Sequence, residues 1–372
     1  MYRTKGIENG RIEVADALRG LAVAGIILFH SVEHFNTFSR SIRYTLPCDA
    51  TVFNVLQTLL SGKMYGIFAV LFGLSFFIMR DNQEQKGKDF SLRFLWRMVL
   101  LFIFGLINVA FYDGDILTTY ALMGLLLIPA GYLDSRWLGA ITVLLLIQPL
   151  EIITHLTGWQ PEARMYYMQI AMAHDTFWHS VVTNLRYGFI TDMAWFYTHG
   201  RITQTLGLFY LGLLIGRCRL FYNEGNNLHK WSVIFAISLF ATVAGAAVRF
   251  GKYEDLLRPV WNLAILMLIM SAATICWYRS DRFRLIFGKL GFFGRMSLTN
   301  YLLQSILGSL LFYKWGFSLY DKLGTTYSAL VGLGMIIFQY TLLSFWARKH
   351  QRGPLEGLWR RLTWIGTDNK RI

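Results

Sequence analysis

The chain has 372 residues, with 36 Lys and Arg against 22 Asp and Glu and a net charge of +14. Hydrophobic residues make up 55% and charged residues 16%, against roughly 25% charged in soluble domains. Too little polar surface remains for a water-soluble globule, and 16% aromatic residues exclude disorder. Cys48, Cys218 and Cys276 are far apart and outside any CxxC spacing, which leaves no zinc signature and no disulfide framework. The class that remains is a polytopic membrane protein.

In chain order, apolar runs predict spans near 13–35, 63–80, 94–112, 116–133, 137–157, 202–220, 231–249, 259–278, 296–313 and 325–347. Most match the roughly 20 residues a helix needs to cross hydrocarbon. Backbone groups in lipid must be satisfied internally, so the expected fold is an all-α bundle of about ten transmembrane helices. The first run carries Asp16 and Arg19 and lacks a small-residue cleavage site, so it does not read as a cleavable signal. With the N-terminus placed in the cytoplasm, 24 basic residues fall on the inner side and 10 on the outer side. That bias predicts both termini cytoplasmic. It also removes the nucleic-acid reading of the charge, because the cations flank spans instead of forming one patch. The connection 158–201, rich in Trp, Tyr and His, reads as an interfacial segment on the outer face. It divides the chain into an N-terminal half, 1–157, and a C-terminal half, 202–372, with no repeat between them.

Polar groups inside spans are costly and mark sites by default. With Arg19 as zero and 100° per residue, His30 falls at about 20°, Asp16 and His34 at about 60° and Glu33 at about −40°. This stripe must face a bundle interior or a wet cavity. Asp16 and Arg19 have the spacing of a structural ion pair. His30 has a packing reading and a chemical one, since an imidazole beside a carboxylate is a common general base. Asn108 and the turn Asp113-Gly114-Asp115 lie at the same expected depth as His30. The two carboxylates either cap the next helix or contact an amine or sugar hydroxyl. Lys63 and Tyr65 open the second span at that level, where Lys63 also suits snorkelling. Ser297, Asn300 and Gln304 share one face of the ninth span, for interhelical hydrogen bonds or a substrate cavity. The chain has no Walker loop, GxSxG elbow, HExxH or dinucleotide fingerprint, and no metal site is expected.

The segments GRMSLTNYLLQS at 294–305, GPLEGLWR at 353–360 and LGLFYLGLLIGR at 206–217, with SGKMYGIFAVLFGLSF at 61–76 and GDILTTYALMG at 114–124, resemble the YeiB-like family, domain of unknown function 418. That family is grouped with transmembrane acyltransferases, including heparan-glucosaminide acetyltransferase and the bacterial acyltransferase-three family. The latter carries an Arg, ten residues and a His in its first span, as Arg19 and His30 do here. The resemblance implies acyl transfer from cytosolic acyl-CoA to an acceptor at the opposite face. It makes His30 the catalytic histidine and Arg19 its partner; from the residues themselves, Glu33 or Asp113 is expected to orient the base. YeiB-like proteins usually carry Asn where this chain has His30, and His where it has Thr118. His34 is therefore a second candidate base, in the role of the later outer-face histidine of the heparan enzyme. The CoA phosphates are expected on Arg93, Arg97, Arg282 and Arg284. The expected partners are membrane lipid, a small-molecule or glycan acceptor, and a second copy of the chain in a homodimer. The rival reading is a transporter or lipid flippase, which a polar cavity serves equally well.

Overall fold

The computed structural model describes residues 11–33, 44–157, 176–198, 200–222, 227–247, 254–320 and 322–365. Among them every regular element is helical, and one isolated bridge joins Tyr44 to Leu323. The first half comprises α1 Glu13–Glu33, α2 Asp49–Leu60, α3 Met64–Glu84, α4 Ser91–Val109, α5 Ile116–Gly124, α6 Leu127–Tyr132, α7 Ser135–Leu146 and α8 Pro149–Thr157. Then come α9 Phe177–Thr183, a π segment Asn184–Gly188, α10 Phe189–Thr198, α11 Arg201–Arg217, α12 Asn227–Ala247 and α13 Glu254–Arg279. The last group is α14 Asp281–Phe287, α15 Gly291–Arg295, α16 Ser297–Phe312, α17 Thr325–Ala347 and α18 Pro354–Thr363.

Among the described residues, six helical stretches are long and apolar enough to cross a membrane: α1, α2 with α3, α4, α12, the 257–279 part of α13, and α17. The other expected spans are shorter or broken. Helices α11 and α16 run 17 and 16 residues. The 116–133 run divides into α5 and α6, and the 137–157 run into α7 and α8. Gln148, at φ 64°, turns the chain just ahead of Pro149. Proline disfavours helical geometry in the residue before it and brings no N–H to continue the ladder.

Burial separates central from peripheral helices. Within its most apolar window α1 is 67% buried, whereas α12 is 11% buried. Phe240 and Ile237 on α12 and Ile337 on α17 are 77%, 64% and 65% exposed, as side chains facing lipid are. Helix α1 can sit centrally because its buried face is rich in Ala and Gly. A Cβ at Gly20 would strike the carbonyl of Leu290, and one at Gly294 would strike the carbonyl of Asp16. Reciprocal contacts of this kind also join α3 to α11, where Gly73 meets the Phe209 carbonyl and Gly212 that of Val70. Small residues let helix backbones approach closely where lipid offers no hydrophobic drive for association.

Helix α18 closes the end of the bundle where α1 begins. Pro354 stands in its first turn, where a missing N–H costs nothing. Glu356 accepts from the Leu298 and Thr299 amides at 2.7 and 3.0 Å and from the Thr299 hydroxyl at 2.6 Å. A carboxylate from one family-like segment thus caps the first turn of α16, in another. It satisfies otherwise orphaned N–H groups at the positive end of that helix. Three further bonds hold α18 to α4: Trp96 Nε1 to the Leu362 carbonyl, Arg93 to that of Thr363, and Trp359 Nε1 to that of Arg97.

Candidate functional site

Two chambers lie at opposite ends of α1. The larger, about 920 Å³, is lined by Arg19, Ser75, Phe94, Tyr120, Tyr301 and Trp359, with cations and one carboxylate described below. The smaller, about 150 Å³, is lined by His30, Glu33, Tyr65, Asp113, Asp192 and Tyr301 among others. Arg19 and His30 are eleven residues apart, about 16 Å along the helix axis at 1.5 Å per residue. Tyr301 lines both chambers. Its hydroxyl accepts from the Ile116 amide at 3.1 Å, which holds it against the start of α5. A second tyrosine spans the same septum: Tyr120 lines the Arg19 chamber and donates to the carbonyl of Tyr65 in the other, at 2.9 Å.

The Arg19 chamber is strongly basic. Arg19, Lys86, Arg97, Arg295, Arg352 and Arg360 line it, against one carboxylate, Glu356. That carboxylate is already engaged at the start of α16, and burial raises its pKa even though the hydrogen bonds pull the other way. Burial, then the neighbouring Arg360 guanidinium, lower the pKa of Arg352. The Nε groups of Arg97, Arg295 and Arg360 are buried without a partner. Crowded, under-satisfied guanidinium groups are the makings of a polyanion site, because they offer planar donor forks to phosphate or carboxylate oxygens. Arg19 donates to Ser75 Oγ at 2.9 Å and pairs with Asp16 at 3.2 Å. It therefore joins the structural ion pair and the chamber wall at once.

At the other end, Gln304 Nε2 lies 3.3 Å from His30 Nδ1. The imidazole packs on Tyr112, with centroids 5.2 Å apart, and meets Tyr301 edge-on at 6.5 Å. The amide of Gln304 decides the tautomer: an N–H donated to Nδ1 leaves the lone pair there, and an amide turned over leaves it on Nε2. Asp113, 3% exposed, lines the chamber and has Oδ1 without a partner. Tyr65 donates to Gln204, whose amide oxygen also accepts from Arg201 at 2.5 Å.

The remaining expected site residues fall elsewhere. Asp115 caps α5, accepting from the Thr118 amide at 2.7 Å and from Asn108 at 2.9 Å, and neither residue lines the chamber. Asn300 donates to the Phe293 carbonyl at 3.0 Å. Lys63 reaches the Gln57 carbonyl at 3.4 Å and lies over Trp261. His34 lies outside the described residues. The four arginines expected to take phosphate are not brought together. Arg97 lines the basic chamber, but Arg93 is engaged with α18 and the Trp364 ring. On α14, Arg284 pairs with Asp281 at 2.7 Å, and neither it nor Arg282 lines that chamber. The cations that do so come partly from the C-terminal segment, through Arg352 and Arg360.

Two contributions were missed by sequence reasoning. Tyr301 follows Asn300 in the polar face of α16, and the aromatic ring disguised it as packing. Residues 158–175 of the expected interfacial segment lie outside the described residues. Further along that segment, Thr191, Asp192 and Phe196 of α10 line the His30 chamber. A lone Asp inside the apolar run FITDMAWF was the available signal.

The family model for proteins of unknown function DUF418 matches residues 215–366, inside the C-terminal half. Across nearly the whole chain, the uncharacterized protein YxaH of Bacillus subtilis is 25% identical, covering 96% of both sequences. The uncharacterized protein YeiB of Escherichia coli is 27% identical, over 94% of this chain and 95% of its own. A third relative, an uncharacterized protein from the amylase 3' region of Bacillus acidopullulyticus, is 25% identical over 95% of this chain. No solved structure matches. The 215–366 segment thus matches the DUF418 model, and over nearly its whole length the chain is similar to YeiB and YxaH.

Proposed function

We propose that the protein is a multi-pass acyltransferase of the bacterial cytoplasmic membrane, with about ten spans and both termini cytoplasmic. Acyl-CoA is its donor, and its acceptor arrives from the envelope side. The observation that carries this reading is the septum of Tyr301: one residue lines a basic chamber able to take phosphates and a small chamber with a histidine and carboxylates. The 3′-phosphate and pyrophosphate of CoA would rest among Arg97, Arg295, Arg352 and Arg360. The pantetheine arm would follow the face of α1 from Arg19 towards Tyr301. At the far side His30 takes the proton of an acceptor hydroxyl or amine, and the acceptor heteroatom attacks the thioester carbonyl. The C–S bond then breaks and the departing CoA thiolate takes up the proton, giving the acylated acceptor and free CoA. For this step the Gln304 amide is turned over, its Oε1 accepting from Nδ1–H, which puts the imidazole lone pair on Nε2.

The test is CoA binding to detergent-purified protein, read as thermal stabilisation. Stabilisation by CoA, weaker with dephospho-CoA and lost in an Arg97→Ala/Arg360→Ala pair, supports the reading. No stabilisation at millimolar CoA would overturn it in favour of transport, the rival function. Orientation is tested separately, by membrane-impermeant labelling of a cysteine-free background. A cysteine replacing Lys314 should react from outside, and one replacing Lys88 should not.

A further inference from the structure

The His30 chamber has a chemical bias that acyl transfer alone does not require. Three carboxylates line it, Glu33, Asp113 and Asp192, against one guanidinium, Arg201. Arg201 is itself engaged with Gln204 and lies over the Tyr65 ring. Asp192 is 6% exposed and accepts from Thr119 at 3.5 Å. Asp113 and Thr191, the latter 2% exposed, both line the chamber, and Asp113 Oδ1 and the Thr191 hydroxyl are buried without partners. Buried polar atoms are rarely left unpaired, because each loses its hydration with nothing in return. Here one is a carboxylate oxygen, able only to accept, and the other a hydroxyl that can accept. The carboxylate oxygen calls for a donor, and the hydroxyl can accept a second N–H from the same group. The remaining wall carries Phe29, Phe196, Tyr65 and Tyr301, and aromatic rings favour a cation over a neutral group. A space of about 150 Å³ is roughly the liquid volume of five waters, the size of a small headgroup.

We propose that the His30 chamber binds a small organic ligand through a primary ammonium group. Asp113 Oδ1 and the Thr191 hydroxyl accept its N–H bonds, and the aromatic wall faces its carbon frame. This assignment rests on the chamber alone. Under the acyl-transfer reading it names the acceptor class, a primary amine; His30 then removes the ammonium proton and releases it to water before the nitrogen attacks, and the second N–H proton passes to the departing CoA thiolate.

Thermal melting of the purified protein decides it, with ethanolamine, tetramethylammonium, glycerol and sodium chloride compared at equal concentration and pH 8. Ethanolamine should stabilise most. Tetramethylammonium, which has no N–H, should stabilise less, and glycerol and salt should not. Asp113→Asn should weaken ethanolamine binding about tenfold or more, as expected for one charge-assisted hydrogen bond. Thr191→Val should weaken it less. Equal stabilisation by glycerol, or full ethanolamine binding in Asp113→Asn, would overturn the proposal. Should Asp113→Asn fail to elute as a monodisperse species, Thr191→Val takes its place, with weakened ethanolamine binding expected and full retention overturning the proposal. The two readings fail separately. Ethanolamine stabilisation in a protein indifferent to CoA removes acyl transfer and keeps the ammonium site; the converse pattern does the reverse.

Discussion

The two ends of α1 are built on opposite principles. At the Arg19 end the space is large, basic and closed by a helix that belongs to the last twenty residues of the described chain. At the His30 end it is small, acidic and aromatic, and walled partly by α10 from the middle of the chain. A single helix carries a functional side chain into each, and Tyr301 stands between. Under the proposed function the difference corresponds to two ligands, a bulky polyanion on one side and a compact group on the other.

The strongest way to break that comparison is to remove the chemistry from the small chamber while leaving the large one intact. His30→Asn should lower acyl transfer by ~10²–10⁴-fold, the usual range for a general base, with CoA-induced stabilisation unchanged. Asn keeps a polar group within reach of Gln304, so a packing histidine would tolerate the change. Retained activity would leave His34 as the remaining histidine candidate, and Asn in its place as the next variant to assay.

Second in size is the effect of the basic side. A charge-assisted hydrogen bond contributes roughly 1.5–3 kcal/mol, so Arg97→Ala and Arg360→Ala should each weaken CoA binding about tenfold or more. Arg282→Ala and Arg284→Ala should change nothing, because neither residue lines the chamber. Titration of CoA by melting temperature separates these outcomes. An equal loss in the Arg282 and Arg284 variants would move the phosphate site to α14.

The shared face of Arg19 and His30 was legible in the sequence as the wall of one cavity; the division into two chambers was not, and the limits have physical causes. The 100° helical period put Arg19 and His30 on one face, and the structure lines a chamber with each. The same arithmetic could not say which neighbouring helices complete the walls, since helix pairing in lipid depends on close backbone approach at residues such as Gly20 and Gly73. Basic residues near span ends serve topology as well as ligands. For that reason composition alone did not separate Arg97, which lines the chamber, from Arg93, which holds α18. Asp115 and Asn108 looked like site residues because buried polar groups in spans usually are. Their hydrogen bonds go to each other and to a helix start. Span boundaries were also hard to read, since hydropathy does not register the turn at Gln148, which depends on a positive φ and a following proline.

Tyr301 sharpens the comparison at the boundary. Tyr301→Phe keeps the ring between the chambers and removes the bond from the Ile116 amide, at a cost of about 1–3 kcal/mol for a buried donor left unpaired. Tyr301→Ala also removes the septum. The phenylalanine variant should melt earlier yet still couple CoA consumption to acceptor acylation. The alanine variant should hydrolyse acyl-CoA without acceptor, because water entering through the small chamber can reach the thioester. Equal coupling in both variants would show that the ring separates nothing.

The smallest effect concerns how the basic chamber is closed. Glu356 joins α18 to the start of α16, and burial holds its pKa above the ordinary carboxyl value. A carboxyl raised on folding favours the folded state most when it is neutral. Its contribution is therefore full below the unfolded-state pKa and declines as pH rises through the folded-state value. Glu356→Gln is neutral at every pH and keeps an oxygen for the Leu298 and Thr299 amides. Its melting temperature should accordingly gain on the parent's between pH 4 and pH 8, other carboxyl groups being common to both and cancelling in the difference. Glu356→Ala loses the cap outright, typically about 1 kcal/mol, with no recovery at high pH that the Gln variant does not also show. The opposite slope, with the parent gaining as pH rises, would mean that the three hydrogen bonds outweigh burial. The closure would then be held by an ionised carboxylate, adding a fixed negative charge to the wall where an anionic ligand must enter.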